Sequence, residues 1–180
     1  MRTEKRNKII QAALALFSSR GFRGTSTAEI SRRAGVATGT LFHHFKSKEE
    51  LIEKLYLETR SELADHLACM FPSTDTTKEK LRSLWLAFSG WALLHEEQYR
   101  FLKHCEASPC ICETLLVKGA SKFMFIPELF EEIAETRNDN NTSVALQLDL
   151  FAGTLDGFIR HLLGNPGVKT DKETWEKSFE

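Results

Sequence analysis

Residues 28–51 have the sequence AEISRRAGVATGTLFHHFKSKEEL, and this stretch decides how the N-terminal part of the chain folds. Gly35 separates two short segments whose apolar residues have helical spacing. We therefore predict a helix over 27–34, a three-residue turn over 35–37 and a second helix over 38–45, with Thr38 as the N-cap of the second helix. Two short helices joined by such a turn form a helix-turn-helix unit.

The second of these helices has an unusual composition for a helix that only packs against a core. It starts with small residues, continues with two histidines and two phenylalanines, and is followed at once by Lys-Ser-Lys. Leu41 and Phe45 lie four residues apart, so both are expected to face inward. In a helix-turn-helix unit the second helix enters the DNA major groove with its N-terminal residues at the base edges. The small and polar residues would then meet bases, and Lys46 and Lys48 would meet phosphates. A surface helical hairpin without a ligand is the alternative that this pattern leaves open.

Charge and composition narrow the class of protein. Residues 1–50 contain ten Lys and Arg but only four Asp and Glu, whereas the rest of the chain is acidic. A basic end on an acidic body favours a polyanion contacted at that end, although a solvated charged surface would give the same count. The 180 residues are 42% hydrophobic, which is enough for a core. No apolar run approaches the roughly 20 residues that span a bilayer, so no membrane partner is predicted. The charged start, MRTEKRNKII, is unlike a secretory signal and predicts a cytoplasmic protein.

Helical spacing of apolar residues continues along nearly the whole chain, and no alternating strand pattern is long enough to count. The predicted fold class is therefore all-α. Ser47 and Glu50 form a capping-box pattern that predicts a long helix ending near residues 71–72. Residues 72–77, PSTDTT, are the clearest linker, and Pro127 should kink or split the helix that contains it. The further predicted helices cover about 78–95, 97–107, 109–137 and 143–163, with a last one from about Asp171.

Residues 5–55 resemble the N-terminal domain of the TetR family of bacterial transcriptional regulators. The resemblance is carried by IIQAALALF, by RGFRGTSTAEISRRAGVATGTLFHHFKSKEELIEKL, and above all by AGV followed by GTLF and FKSKE. It implies a three-helix DNA-binding domain over 1–47 and a helical ligand-binding and dimerisation domain over 48–180. It also implies a homodimer that binds a palindromic operator in double-stranded DNA. Such a protein would be a repressor that a small, mainly apolar effector releases from its operator, and the choice between repressor and activator rests on this analogy alone.

The resemblance also implies DNA contacts position by position. Thr27 would cap the second helix of the domain and contact phosphate, and Lys48 would contact phosphate as well. Phe42 stands where the family usually has a tyrosine that binds phosphate, so only packing remains at this position. The complete predicted DNA-binding set is Thr27, Thr38, Gly39, Thr40, Phe42, His43, His44, Lys46 and Lys48.

The C-terminal part of the chain is rich in aromatic residues. Most of them are expected to fill the core, but an apolar cavity between helices is also a usual site for a small molecule. Such a cavity would accept a flat or otherwise apolar ligand, and no cofactor is predicted. The predicted ligand-binding residues are Trp85, Phe88, Trp91, Phe101, Phe123 and Phe151.

Small residues interrupt the apolar segment 143–163 and would let two helices approach each other closely. The apolar surface of this segment is too broad to be covered from one side only. Together with a helix around Trp175, it is predicted to form half of a four-helix dimer interface, with a central core helix as the alternative. The predicted interface residues are Leu146, Leu150, Gly153, Gly157, Phe158 and Trp175.

Cysteine and histidine residues cluster in KHCEASPCIC, residues 103–112. Their spacing lacks the repeated C-x₂-C pattern of a structural zinc site, so no metal is predicted. Buried thiols are the simplest interpretation, and a thiol redox-sensing regulator that uses Cys105, Cys110 and Cys112 is an alternative function. No phosphate loop, nucleophilic triad or paired-histidine helix is present, so no catalytic residue and no enzyme activity are predicted. A helical protein-interaction module is the other alternative.

Overall fold

The computed structural model describes residues 2–71, 76–108, 113–137 and 143–165, together with positions 167, 177 and 178. In this part of the chain the structure is helical and has no strand, which confirms the all-α fold class. The helices are α1 (Arg2–Arg20), α2 (Thr27–Arg33), α3 (Thr38–His44), α4 (Lys48–Met70), α5 (Thr77–Leu94), α6 (Glu96–Glu106), α7 (Glu113–Ala120), α8 (Phe125–Arg137) and α9 (Val144–Gly164), with a 3-10 turn at Ser121–Phe123 between α7 and α8.

The chain folds as two compact units. The first unit consists of residues 1–61 and 95–119, and the second of residues 62–94 and 120–180. α4 contributes residues to both units. The sequence analysis places the end of the DNA-binding domain between residues 47 and 48. This functional boundary stays a prediction, because the two units are defined by contacts and not by function.

The core of the first unit is built around three phenylalanine rings. Phe17 of α1 lies 5.2 Å from Phe22 and 6.3 Å from Phe101 of α6, and Phe22 and Phe101 are 5.8 Å apart. These are favourable distances for edge-to-face and offset aromatic pairs. Burying each ring contributes about 1.5–3 kcal/mol, so the triad fixes α6 against α1 and supports the helices that follow.

The core of the second unit is also aromatic. Trp85 of α5 stacks on Phe158 of α9 with 5.3 Å between ring centroids and meets Phe151 edge-on at 5.8 Å. Phe130 of α8 lies 5.5 Å from Phe151. The indole N–H of Trp85 donates a 2.9 Å hydrogen bond to the Ser178 hydroxyl. These contacts join α5, α8 and α9 around a single aromatic cluster.

α2 and α3 begin at the predicted residues, but each N-cap lies one residue before the predicted one. Ser26, not Thr27, is the N-cap of α2, and it forms a reciprocal capping box with Glu29. Ala37, not Thr38, is the N-cap of α3 and has no side-chain cap bond. Both caps have extended backbone angles, with ψ of 153° and 146° respectively, and this conformation identifies an N-cap. The two predictions for Thr27 and Thr38 as caps are therefore wrong.

The capping box predicted at the start of α4 is confirmed in part. The hydroxyl of Ser47 accepts a 3.1 Å hydrogen bond from the Glu50 backbone N–H. The Glu50 carboxylate returns to the N–H of Lys46, at 2.6 Å, rather than to that of Ser47. α4 ends at Met70, one residue before the predicted end near residues 71–72.

The predicted break in the helix that contains Pro127 is confirmed, but it lies before the proline. α7 ends at Ala120, the 3-10 turn follows, and α8 begins at Phe125. Pro127 is the third residue of α8, where a backbone N–H has no partner within the helix. The proline therefore fits the first turn of α8 without a kink. The helix predicted from Asp171 lies outside the described residues.

Candidate DNA-binding surface and ligand-binding core

The recognition-helix candidate, α3, is fixed to the first unit along one side. Leu41 and Phe45 are fully buried. The Arg6 guanidinium carbon lies 5.7 Å from the centre of the Phe45 ring, and the Lys54 ammonium lies 5.6 Å from it. Arg6 also forms an ion pair with Glu58 of α4. The sequence thus produces a seven-residue helix whose inner side is anchored and whose outer side is free for contacts.

The outer side of α3 brings together the residues predicted to meet bases. Thr38, Gly39, Phe42 and His43 are exposed, while Thr40 and His44 are half-buried. A methyl group added at Gly39 would meet no atom within 4 Å. Small hydroxyl, methyl and imidazole groups on an open helix surface match the hydrogen-bonding and apolar features of base edges in the major groove.

Lys48 has a structural contact that sequence reasoning did not find. Its ammonium donates hydrogen bonds to the carbonyl oxygens of Phe22, at 3.0 Å, and Thr25, at 3.2 Å. These bonds attach the start of α4 to the loop between α1 and α2. An ammonium has three donors, so one is left for a phosphate. Nothing in the sequence near Lys48 signals this contact, and its phosphate role stays a prediction.

Four basic residues in the helix-turn-helix segment and the loop before it are exposed. Arg23, Arg32, Arg33 and Lys46 are exposed. The carboxylate of Glu29 already has partners within the protein. Hydrogen bonds from the Ser26 backbone and hydroxyl, together with the nearby Arg20, lower the pKa of this carboxyl group. Thr27 is half-buried at the start of α2, and its carbonyl accepts a hydrogen bond from the Ser31 hydroxyl. The exposed positive charges could approach a phosphate backbone on this side of the first unit.

The predicted ligand-binding residues do not all lie in one unit. Trp85 and Phe151 are in contact, and Phe88 and Trp91 have ring centroids 6.3 Å apart, all in the second unit. Phe123 is buried there as well. Phe101 belongs instead to the phenylalanine triad of the first unit. The ligand-binding hypothesis therefore rests on the second-unit residues, and Phe130 joins them through its contact with Phe151.

Two surface grooves, of about 480 and 450 Å³, lie in the first unit. One borders α1 and Gly35, and the other borders Gly21 and His104. Neither is lined by the aromatic cluster of the second unit.

The apolar stripe predicted on α9 is exposed. Leu146 and Leu150 are 50% and 61% exposed, and methyl groups added at Gly153 or Gly157 would meet no atom within 4 Å. Leu155, Ile159 and Leu162 are buried on the opposite side of the helix. Phe158 stacks on Trp85 within the second unit, and Trp175 lies outside the described residues. The stripe, defined here as Leu146, Leu150, Gly153 and Gly157, is thus not covered by the described part of its own chain.

The cysteine hypothesis can be assessed only in part. Cys105 is buried and Cys69 is exposed, and neither forms a disulfide bond. Cys110 and Cys112 lie outside the described residues. Among the residues that the structure describes, no group of three or more His, Cys, Asp or Glu side chains could hold a metal ion. None of the helices in the same part of the chain combines the length and the apolar character of a membrane span. Since a buried thiol reacts slowly with oxidants, Cys105 gives little support to a redox sensor.

Comparisons with known proteins agree with this geometry. Residues 9–55 match the sequence model of the family described as bacterial regulatory proteins, tetR family. The transcriptional repressor KstR2 of Mycolicibacterium smegmatis is 26% identical over 156 residues, which are 87% of this chain and 68% of the relative. The Bacillus subtilis regulator FadR, solved in complex with stearoyl-CoA, has the same fold, with a TM-score of 0.74 over 97% of this chain and 95% of that one, at 18% identity.

A crystal structure from Shewanella sp. PV-4, assigned to the tetR family of transcription regulators, is more similar in sequence. It superposes with a TM-score of 0.85 and 33% identity over 97% of this chain and 94% of that one. The similarity extends far beyond the helix-turn-helix, through both compact units. This agreement along nearly the full length, with the open polar surface of α3, shows that the chain belongs to the TetR family of DNA-binding transcriptional regulators.

Proposed function

We propose that this regulator is a dimeric repressor that binds a palindromic operator through α3 and leaves it when a small, mainly apolar molecule binds the second unit. The observation that carries the proposal is the outer side of α3, where small polar residues are exposed while Leu41 and Phe45 hold the helix in place. A protein of this kind acts where the chromosome is, in the bacterial cytoplasm.

DNA binding would combine base contacts with phosphate contacts. Thr38, Gly39 and Thr40 are small enough to let the start of α3 approach the base edges. Lys46 is exposed, and Lys48 keeps one donor for a phosphate. A dimer that neutralises about six phosphates should show a log–log salt slope of about −5, which is a loss of about a thousandfold in affinity between 50 and 200 mM salt.

Dimerisation would use the stripe on α9. An exposed apolar helix side is unfavourable in water, and its burial contributes about 25 cal/mol for each Å² removed from solvent. The two glycines let a second backbone approach closely. Two copies of one stripe can meet about a two-fold axis, and this symmetry matches a palindromic operator with half-sites one helical turn apart.

The effector would bind against the aromatic cluster of the second unit. Trp85, Phe130 and Phe151 offer ring surfaces to an apolar molecule. FadR of Bacillus subtilis has the same fold and was solved with stearoyl-CoA, a molecule with a long apolar chain. α4 contributes residues to both units, so a change in the packing of the second unit can alter the first. Operator DNA must then weaken effector binding by the factor by which the effector weakens DNA binding.

A gel shift with the DNA upstream of the gene tests the proposal. Purified protein should shift that fragment at nanomolar concentration and shift an unrelated fragment of equal length only at much higher concentration. Light scattering should give twice the 20.5 kDa chain mass. Equal affinity for both fragments at physiological salt, or a stable monomer at micromolar concentration, would contradict the proposal. Calorimetric titration with and without operator then tests any effector that is found.

A further inference from the structure

Ser89 lies in the middle of α5 and is the polar residue that the packing leaves unexplained. Its side chain is fully buried, and its hydroxyl has no hydrogen-bond partner among the residues that the structure describes. A buried hydroxyl without a partner destabilises a protein, and native structures contain few of them. Such an atom therefore indicates strain or a partner that binds later.

Other hydroxyls in the helices show what Ser89 could have done. The Ser31 hydroxyl donates to the Thr27 carbonyl at 2.9 Å, Thr136 to Glu132 at 2.8 Å, and Thr154 to Leu150 at 2.7 Å. Each of these bonds reaches one turn back along the same helix. The corresponding acceptor for Ser89 is the carbonyl of Trp85, and that bond is not made. The Ser89 hydroxyl is therefore not paired with its own helix backbone in the way that these three hydroxyls are.

The position of Ser89 relates it to the aromatic cluster. It follows Trp85 by four residues, so the two side chains lie on one side of α5. Both are buried, and Trp85 contacts Phe151 and Phe158. Ligand sites combine a mostly apolar lining with a few polar groups that orient the ligand. Ser89 supplies such a group one helical turn from the ring that the proposed effector would touch.

We propose that Ser89 is the polar anchor of the effector site, and that the effector is an apolar molecule with a neutral hydroxyl or carbonyl oxygen that hydrogen-bonds to the Ser89 hydroxyl. This inference rests on the effector site proposed above for the second unit. The residues buried on α5 are Leu84, Trp85, Ser89, Trp91 and Ala92, which carry no charge. A neutral oxygen suits this side of α5 better than a carboxylate, because a buried charge needs an opposite charge or several donors.

The hydroxyl should also select between ligands. A site built to bind a polar atom rejects an analogue that lacks it, because the buried group then stays unpaired. An apolar molecule with one oxygen should therefore bind more tightly than its hydrocarbon counterpart, by about tenfold for one neutral hydrogen bond. The probes 1-naphthol and naphthalene form such a pair, since they share a flat ring system and differ in one hydroxyl.

The test compares the wild-type protein with Ser89→Ala and with the matched control Ser31→Ala, whose buried serine already has a partner. Equilibrium dialysis measures the binding of each probe to the full-length dimer. The wild type should prefer 1-naphthol about tenfold, and Ser89→Ala should lose this preference while it keeps its affinity for naphthalene. Ser31→Ala should keep the preference.

Calorimetric unfolding without a probe is the second measurement. Ser89→Ala should be as stable as the wild type or more stable, because it removes an unsatisfied buried atom, whereas Ser31→Ala should be less stable. The inference is overturned if wild-type protein does not bind 1-naphthol, if Ser89→Ala keeps the preference, or if Ser89→Ala is destabilised like the control. The operator gel shift is independent of these results, so its failure would count against the proposed function and not against the Ser89 contact.

Discussion

α3 and α9 expose surfaces of opposite chemistry. α3 has seven residues, buries Leu41, and exposes small polar groups, the His43 imidazole and Phe42. α9 has 21 residues, buries Leu155, Ile159 and Leu162, and exposes two leucines and a glycine in line. In both helices, apolar residues on one side are buried in the core of the unit to which the helix belongs. They differ in what the other side offers to a partner.

The difference indicates two kinds of partner. A polar, positively charged surface keeps its hydration until it meets a phosphate backbone, and its binding is then sensitive to salt. An exposed apolar stripe is already unfavourable in water, so a protein surface is its natural partner. Under the proposed function, one chain therefore has separate surfaces for DNA and for a second copy, and variants of each surface should have different primary effects.

The largest effect should come from a charge placed in the apolar stripe. Leu150→Glu puts a carboxylate on each copy at the proposed two-fold interface, where two like charges would be buried together. We expect a monomer in light scattering at micromolar concentration. Operator affinity should fall at least a hundredfold, because two linked DNA-binding domains bind far more tightly than one. Ala145→Glu is the control, since Ala145 is exposed on α9 outside the stripe. A dimeric Leu150→Glu protein would show that α9 does not form the interface.

A smaller effect is expected on α3, and it should change specificity rather than assembly. Thr40→Val keeps the shape of the side chain but removes the hydroxyl, which should alter binding to particular operator variants by about 1–3 kcal/mol. Lys46→Ala should instead weaken all sequences alike and reduce the salt slope of the dimer by about two, because each subunit loses one phosphate contact. Quantitative gel shifts with a set of single-base operator variants distinguish the two patterns. A uniform loss in Thr40→Val would mean that Thr40 contacts the backbone or only packs.

The sequence predicts α3 well because its pattern is local. Leu41 and Phe45 are four residues apart, and Gly35, with its φ of +66°, marks the turn before the helix. Helix spacing and one glycine are enough to determine which residues face inward. Once the inward-facing residues of α3 are assigned, the remaining residues of this helix are the ones expected to be exposed.

Contacts between distant parts of the chain could not be predicted in this way. The bonds of Lys48 to Phe22 and Thr25 depend on how the loop before α2 folds back. Phe101 was grouped with the other aromatic residues by composition, yet it packs on α1 in the first unit. The missing partner of Ser89 is a property of three-dimensional packing, and a serine in a helical pattern gives no signal of it.

Two helical glycines, one in each unit, differ in how closely other atoms pack around them. A Cβ at Gly119 would lie 2.7 Å from the Tyr56 ring, whereas one at Gly153 would meet nothing within 4 Å. Gly119→Ala should therefore destabilise the first unit by about 1–3 kcal/mol through overpacking. Gly153→Ala should leave the fold as stable or stabilise it by up to about 1 kcal/mol through helix propensity, but it should weaken the dimer. Urea unfolding measures the changes in stability, and the concentration dependence of light scattering measures the weakening of the dimer. A Gly153→Ala protein whose fold is less stable than that of the wild type would contradict the open position of that residue.

The smallest effects should come from two matched capping boxes, one in each unit. Ser26 and Glu29 form one at the start of α2, and Thr76 and Glu79 form the other at the start of α5, where the Thr76 N–H donates to the Glu79 carboxylate at 2.8 Å. Replacing either cap residue by alanine should lower the free energy of unfolding by about 1 kcal/mol. Only Ser26→Ala should also weaken operator binding, by a few fold, because α2 supports α3.

The effect of these caps on stability should depend on pH in a defined direction. Hydrogen bonds from Ser26 and Thr76 lower the pKa of Glu29 and of Glu79 below the ordinary value, about 4.3 for a glutamate. A carboxyl group whose pKa is lowered in the folded state stabilises the protein above its ordinary pKa, and this stabilisation is lost as pH falls through the lowered value. The stability difference between the wild type and each alanine variant should thus be full at pH 7 and shrink below about pH 4. Urea unfolding at both pH values measures it. A stability difference that does not change with pH would show that the carboxylates take no part in the caps. Operator affinity is the separate test of the role of α2. Equal operator affinities for Ser26→Ala and Thr76→Ala would show that the cap of α2 has no role in positioning α3.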